Sequence, residues 1–146
     1  MPVLTTNQLG LVAESAVVFE CARRAIGVAR PLADERYDLI LDLRPRLIRV
    51  QCKLAHRHGD VVVCRLYSSR RTRDGLLNRR YDRGDFDAFA VYCVELDAVF
   101  LLPADDFVSP RQANLRVGPS RNNQAFGVRW ARDYEFGATI HELWGP

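Results

Sequence analysis

Two stretches of the chain alternate apolar and polar residues at the strand period and lie on either side of a short turn. In Tyr37-Asp38-Leu39-Ile40-Leu41-Asp42-Leu43, Asp38, Ile40 and Asp42 share one face, and Tyr37, Leu39 and Leu41 share the other. In Leu47 to Leu54 the polar side chains Arg49, Gln51 and Lys53 alternate with Ile48, Val50, Cys52 and Leu54. Arg44-Pro45-Arg46 supplies turn chemistry between them. Pairing Asp42 with Leu47 across a four-residue loop sets Asp38 opposite Gln51 and diagonal to Lys53, so that a carboxylate, an amide and an ammonium converge.

Upstream, Thr5-x-x-Gln8 fits a capping box and Gly27 suits a closing position, which predicts a helix from about Thr6 to Ile26. Winding it at about 100° per residue gathers Leu11, Val18, Cys21, Ala22 and Ala25 on one side and Leu9, Glu20, Arg23 and Arg24 on the other. Glu14 then falls on the apolar side, where an unpaired carboxylate is costly and needs a cation. An arginine partner would meet that need, but Asp38 is a second acid seeking the same neighbourhood, which favours a shared site.

Beyond the linker from Val28 to Arg36 and the paired strands, the pattern predicts a strand at Val61–Tyr67, a loop, and a covered central strand within Asp85–Val94. Its neighbour is expected at Ala98–Leu102 and a helical turn at Pro103–Phe107, with weaker strands at Asn114–Val117 and Val128–Ala131. One helix and a mixed sheet make an α+β or α/β core, and no repeat or boundary divides the 146 residues, so one domain over 1–146 is expected.

Charge refines this picture in two places. Of 21 basic residues, Lys53 is the sole lysine. A chain that uses arginine everywhere else and lysine here points to a position needing a compact ammonium, although an Asp and a Lys on adjacent strands also occur as a plain surface pair. Between Ser68 and Gly84, Arg70, Arg71, Arg73, Arg79, Arg80 and Arg83 stand against Asp74 and Asp82, and this local excess accounts for the whole net charge of +3. The loop is either a solvated connection or the footprint of a polyanion. Ser68, Ser69, Thr72 and Tyr81, interleaved among the arginines, favour nucleic acid by offering phosphate donors and a stacking ring. Cys21, Cys52, Cys64 and Cys93 sit singly, as reduced core thiols do. No leader-like or membrane-length apolar run is present, so a soluble, cytoplasmic protein is expected.

Glu14 on a helix, Asp38 on a strand and Gln51-Cys52-Lys53 on the next make the chain resemble the PD-(D/E)XK nuclease superfamily. More narrowly, Arg36-Tyr37-Asp38-Leu39-Ile40, Val50-Gln51-Cys52-Lys53, Ser68-Ser69-Arg70-Arg71, Asp87-Ala88-Phe89-Ala90-Val91-Tyr92 and Arg121-Asn122-Asn123-Gln124 resemble the small homing endonucleases of group I introns, which are similar to Holliday-junction resolvases. The resemblance implies a restriction-endonuclease-like core with the first helix packed on the sheet. It implies a divalent-metal-dependent DNA endonuclease using Mg²⁺ or Mn²⁺, with Glu14, Asp38, Gln51 and Lys53 catalytic. Asp38, Gln51 and the backbone carbonyl of Cys52 would be the ligands, and Glu14 would reach the metal through water. Ser69, Arg70, Arg71, Arg73, Arg79, Arg80, Tyr81, Arg83, Arg121, Asn122, Asn123 and Gln124 would contact DNA, double-stranded or branched. A homodimer or homotetramer is implied, associated with the nucleoid when bound to DNA. Gln51 departs from the acid that most members carry at its position, and Tyr37 replaces the motif's proline. A resolvase, or an inactive nucleic-acid-binding module of the same fold, are the alternatives.

Overall fold

The computed structural model describes residues 2–81, 84–107, 111–119 and 127–144, leaving aside the side chains of 68–72, 76–80 and 143. Helix α1 (Thr6–Ala22) begins with the capping box: Thr5 accepts from the Gln8 backbone N–H, and the Gln8 side chain accepts from that of Thr5. It ends four residues short of the expected Ile26. Ala25 takes the left-handed conformation at φ 57°, and Ile26 donates back to the Cys21 carbonyl. Gly27 instead opens strand β1 (Gly27–Ala29), where a side chain would crowd Asp42 at 3.3 Å.

The buried stripe of α1 is Ala13, Val17 and Cys21. Leu11, expected inside, is 54% exposed, and Phe19 is 62% exposed. The helix is apolar nearly all round, so its periodicity named no single inward face, and packing against the sheet selected the small residues.

The hairpin formed as its pattern required. Strands β2 (Leu39–Asp42) and β3 (Leu47–His58) pair antiparallel from Asp42 with Leu47 to Leu39 with Val50, and Leu43 N–H donates to the Arg46 carbonyl at 2.8 Å to close the turn. Leu39, Leu41, Ile48 and Val50 are fully covered, each burial contributing roughly 1.5–3 kcal/mol. The long β3 holds the sheet together. Its first half lies between β2 and the parallel β7 (Ala88–Cys93), and its end, His56–His58, pairs with β4 (Val61–Arg65). Antiparallel neighbours β8 (Ala98–Pro103) and β9 (Gln112–Arg116) flank β7 and β4, and β1 covers the edge of β2. The sheet is therefore mixed, as expected for an α+β restriction-endonuclease-like core.

Two apolar clusters divide the faces of the sheet. On one, α1 covers Leu39, Leu41, Val50, Cys52, Ala90 and Leu101, joined by Phe136 and Ile140 of α2 (Phe136–Trp144). On the other lie Ala55, Phe89, Val91, Leu102, Phe86 and Tyr81. Neither β1 nor α2 was expected. β1 is three residues long and hidden in the linker, and α2 begins at an aromatic with no capping side chain before it to announce a helix.

Three further expectations change. The Val61 strand breaks at Leu66, whose N–H donates to the Arg111 carbonyl. The basic loop is a two-stranded ribbon, β5 (Tyr67–Thr72) with β6 (Gly75–Arg80), because alternate pairing from Tyr67 with Arg80 to Thr72 with Gly75 satisfies its backbone. At Val128–Ala131 there is no strand. Trp130 makes a single parallel bridge to Arg116, and Ala131–Tyr134 turns as a short 3₁₀ helix. The helical turn at Ala104–Phe107 formed as expected. All four cysteines are free and buried, as core thiols.

Candidate active site

Strand alternation sends Gln51 and Lys53 away from the α1 face that buries Val50 and Cys52. Asp38 lies one residue before β2, where the ladder ends at Leu39 with Val50 and the Cys52 N–H is left for a side chain. Asp38 Oδ2 accepts that N–H at 2.8 Å, while the Asp38 N–H donates to the Val50 carbonyl at 2.9 Å. The carboxylate thus replaces a missing strand bond and is held rigidly against β3.

Glu14 reaches the same point from α1. Its charge and that of Asp38 raise the pKa of the buried Cys52 thiol, after the larger effect of burial, and Asp38 adds to the upward push that burial gives the Glu14 carboxyl. Arg30, just past β1, lies with Nη1 3.2 Å from Glu14 Oε1 and counters both rises. For Asp38, burial is the largest influence and raises its pKa. The Cys52 N–H, Lys53 and Arg30 each pull it down by favouring the ionised form.

Lys53 closes the group. Its Nζ donates to the Tyr67 carbonyl at 3.0 Å and sits 4.8 Å from the centre of the Tyr81 ring. Burial lowers its pKa and the Arg36 guanidinium adds to this, against the opposing influence of Cys64 and Asp38. Amine, carboxylates and the carbonyl-bearing segment of β3 therefore occupy one neighbourhood in which lysine leans toward its neutral form and the acids toward their protonated form.

The groups that the family resemblance would assign as ligands, the Glu14 and Asp38 carboxylates, the Gln51 amide and the Cys52 backbone carbonyl, are all oxygen donors. Such a set suits a hard divalent cation. Among the described residues no three His, Cys, Asp or Glu side chains form a metal cluster. A cavity of about 580 Å³ lies instead against β4 and β9, lined by Val61, Val63, Gln112, Asn114 and Arg116, and shares no lining residue with this site.

The expected DNA-contacting residues are placed unevenly. Ser69, Arg70, Arg71, Arg79 and Arg80 belong to the β5–β6 ribbon, and Arg73 is exposed at its turn. Arg83, Arg121, Asn122, Asn123 and Gln124 lie outside the described residues. Tyr81 does not offer a stacking surface. It is only 9% exposed, packed edge-on against Phe86 and Phe89 at 5.0 and 5.6 Å, with the Arg36 guanidinium over its ring at 4.3 Å. An aromatic among charged residues reads as exposed in sequence, and here its ring is packed into the apolar cluster instead.

Two partners were not anticipated from the sequence. Arg30 stood in an apparent linker, and only the β1–β2 register, Ala29 with Ile40, brings it beside Asp38. Tyr67 contributes a backbone carbonyl, which no side-chain pattern reports.

Comparison with known proteins bears on the fold and the family. The chain is similar to a bacterial homing endonuclease, I-Ssp6803I, with a TM-score of 0.73 and 23% identity over 94% of this chain and 93% of that one, a likeness of fold. No curated protein matches the chain. The family model for PD-(D/E)XK endonuclease matches residues 4–137, a span that holds Glu14, Asp38, Gln51 and Lys53 in order, and the chain belongs to that family.

Proposed function

We propose that this protein is a divalent-metal-dependent DNA endonuclease of the homing type, hydrolysing phosphodiester bonds with Mg²⁺ or Mn²⁺. The observation that carries the reading is the meeting of Asp38 and Lys53 at Cys52: a carboxylate fixed by the Cys52 N–H, beside an amine whose charge is weakened by burial. A nuclease must neutralise a phosphate, generate hydroxide and stabilise a leaving alkoxide, and a bound divalent cation supplies Lewis acidity for all three.

Asp38, Gln51 and the Cys52 carbonyl would hold the cation, with Glu14 acting through water. Asp38 needs no reorganisation to serve, because its orientation is set by β3. Lys53 orients the attacking water and, in its neutral form, accepts its proton, while Tyr67 keeps the amine from swinging away. Having one acid fewer than a Glu-bearing site, this one binds metal more weakly and draws more on the DNA phosphate. The β5–β6 ribbon starts at Tyr67, whose carbonyl holds the lysine, and its arginines would supply the phosphate contacts.

The protein works as one domain over residues 1–146, paired as a homodimer or homotetramer so that each strand of the duplex meets a site. It acts in the cytoplasm, on nucleoid DNA. The I-Ssp6803I likeness supports the homing type over a junction resolvase. Incubation with supercoiled plasmid and with a synthetic four-way junction, with and without Mg²⁺, tests this. Metal-dependent plasmid cutting is expected; cutting of the junction alone would replace the reading with a resolvase, and cutting of neither with a binding module.

A further inference from the structure

We infer that Arg30 is a mobile counter-ion: it pairs with Glu14 when the site is free of cation and moves to the scissile phosphate when the site is loaded. The inference rests on the metal-dependent reading above.

Three observations carry it. Arg30 Nη1 is 3.2 Å from Glu14 Oε1, and its charge also reaches Asp38 and Cys52, so one guanidinium serves the whole acid pair. Its side chain is 60% exposed while that of Glu14 is 21% exposed, so the acid is fixed and the arginine has room to move. Pro31 follows it and restricts the backbone of Arg30 to extended conformations, which leaves the side chain as the moving part.

Electrostatics then dictates the exchange. With two carboxylates and no cation, Arg30 lowers the repulsion between like charges. Beside any divalent cation that those carboxylates bind, the same guanidinium faces a like charge and loses its attraction to Glu14. The nearest new anion is the phosphate brought to the site, and a guanidinium suits its oxygens bidentately. Arg30 therefore opposes metal binding in the free protein and stabilises the phosphate charge during cleavage.

Opposite signs in two measurements test this. Mn²⁺ binding to the protein alone, without DNA, is measured by calorimetry for the wild type, Arg30→Ala, Arg30→Gln and Arg30→Lys. Single-turnover cleavage of plasmid is measured for the same four at saturating Mn²⁺. Removing a unit positive charge a few ångströms from the acids should tighten Mn²⁺ binding by about threefold or more. Losing a guanidinium contact to developing phosphate charge should slow cleavage by roughly tenfold or more, with Arg30→Lys between the wild type and Arg30→Ala in both. Weaker or equal Mn²⁺ binding in Arg30→Ala and Arg30→Gln, or undiminished cleavage, would overturn the inference while the wild type still binds Mn²⁺ and cuts. A wild type that neither binds Mn²⁺ nor cuts would bring down the functional reading itself.

Discussion

Asp38 and Cys52 are joined by a 2.8 Å hydrogen bond from the cysteine's N–H to the aspartate's Oδ2, so the carboxylate proposed to bind metal also completes the backbone bonding of the strand that carries Lys53. Structure and chemistry share one side chain here and can be separated by substitution. Asn at position 38 can still accept the Cys52 N–H through its amide oxygen, whereas Ala cannot.

Asp38→Asn should therefore abolish most cleavage while leaving the melting temperature equal or higher, since a buried charge is removed. Asp38→Ala should lose cleavage and stability together, because a buried N–H left without a partner costs about 1–3 kcal/mol. Thermal unfolding alongside plasmid cutting checks both variants; Asp38→Asn cutting at the wild-type rate would take the carboxylate out of the chemistry.

A second prediction concerns the ribbon. If Arg70, Arg71, Arg79 and Arg80 contact phosphates, replacing them by Ala should weaken DNA binding at moderate salt. Each lost contact should lower the slope of log K against log salt by roughly 0.9. Unfolding should be little changed. An unaltered slope would remove β5–β6 from the interface.

How far the sequence reached follows from the range of the forces involved. The β2–β3 register was readable because both strands alternate and a short turn joins them, so every pairing from Leu39 with Val50 to Asp42 with Leu47 is a local consequence. The position of Glu14 was readable as a demand for a cation, but its partner was not, since Arg30 reaches it only through a three-residue strand. The inward face of α1 was misread, because Leu11 and Phe19 are as apolar as Ala13 and Val17, and only the close approach of the sheet chooses between them. Tyr81 was misplaced for the opposite reason: charged neighbours implied solvent, while its true neighbours, Phe86 and Phe89, come from the far side of a turn.

The third prediction is a pH dependence. Burial raises the pKa values of both Glu14 and Asp38 in the folded chain above their usual carboxyl values. Protonation therefore favours folding at these two positions, an advantage fully present below the unfolded carboxyl values near 4 and lost as pH rises through the raised folded ones. The double variant Glu14→Gln, Asp38→Asn should be more stable than the wild type at pH 7, with the gap narrowing toward pH 4. The Arg30 pair works against this difference only slightly, being largely exposed. Melting curves in metal-free buffer across this range provide the measurement, and a gap that widens on acidification would contradict the burial account.

The last prediction turns on the one lysine among 21 basic residues. Lys53 donates to the Tyr67 carbonyl at 3.0 Å, with its ammonium 4.8 Å from the centre of the Tyr81 ring. Burial lowers its pKa, so the neutral amine is favoured in the folded chain: that stability is present above the usual lysine value and lost as pH falls through the lowered one. Arginine cannot follow this behaviour. It stays charged throughout the working range, and its fork spreads donors over a wider plane than a compact ammonium does. Lys53→Arg and Lys53→Ala should each lose cleavage on the order of 10²-fold or more, as expected for a positioned acid–base group, while DNA binding in Ca²⁺ persists. If the lysine were only a surface charge, Lys53→Arg would change little, within about 0.5 kcal/mol in stability and not at all in rate. Rates for the two variants beside their Ca²⁺ binding curves decide between these outcomes, and near-normal cutting by Lys53→Arg would remove the lysine from the reaction.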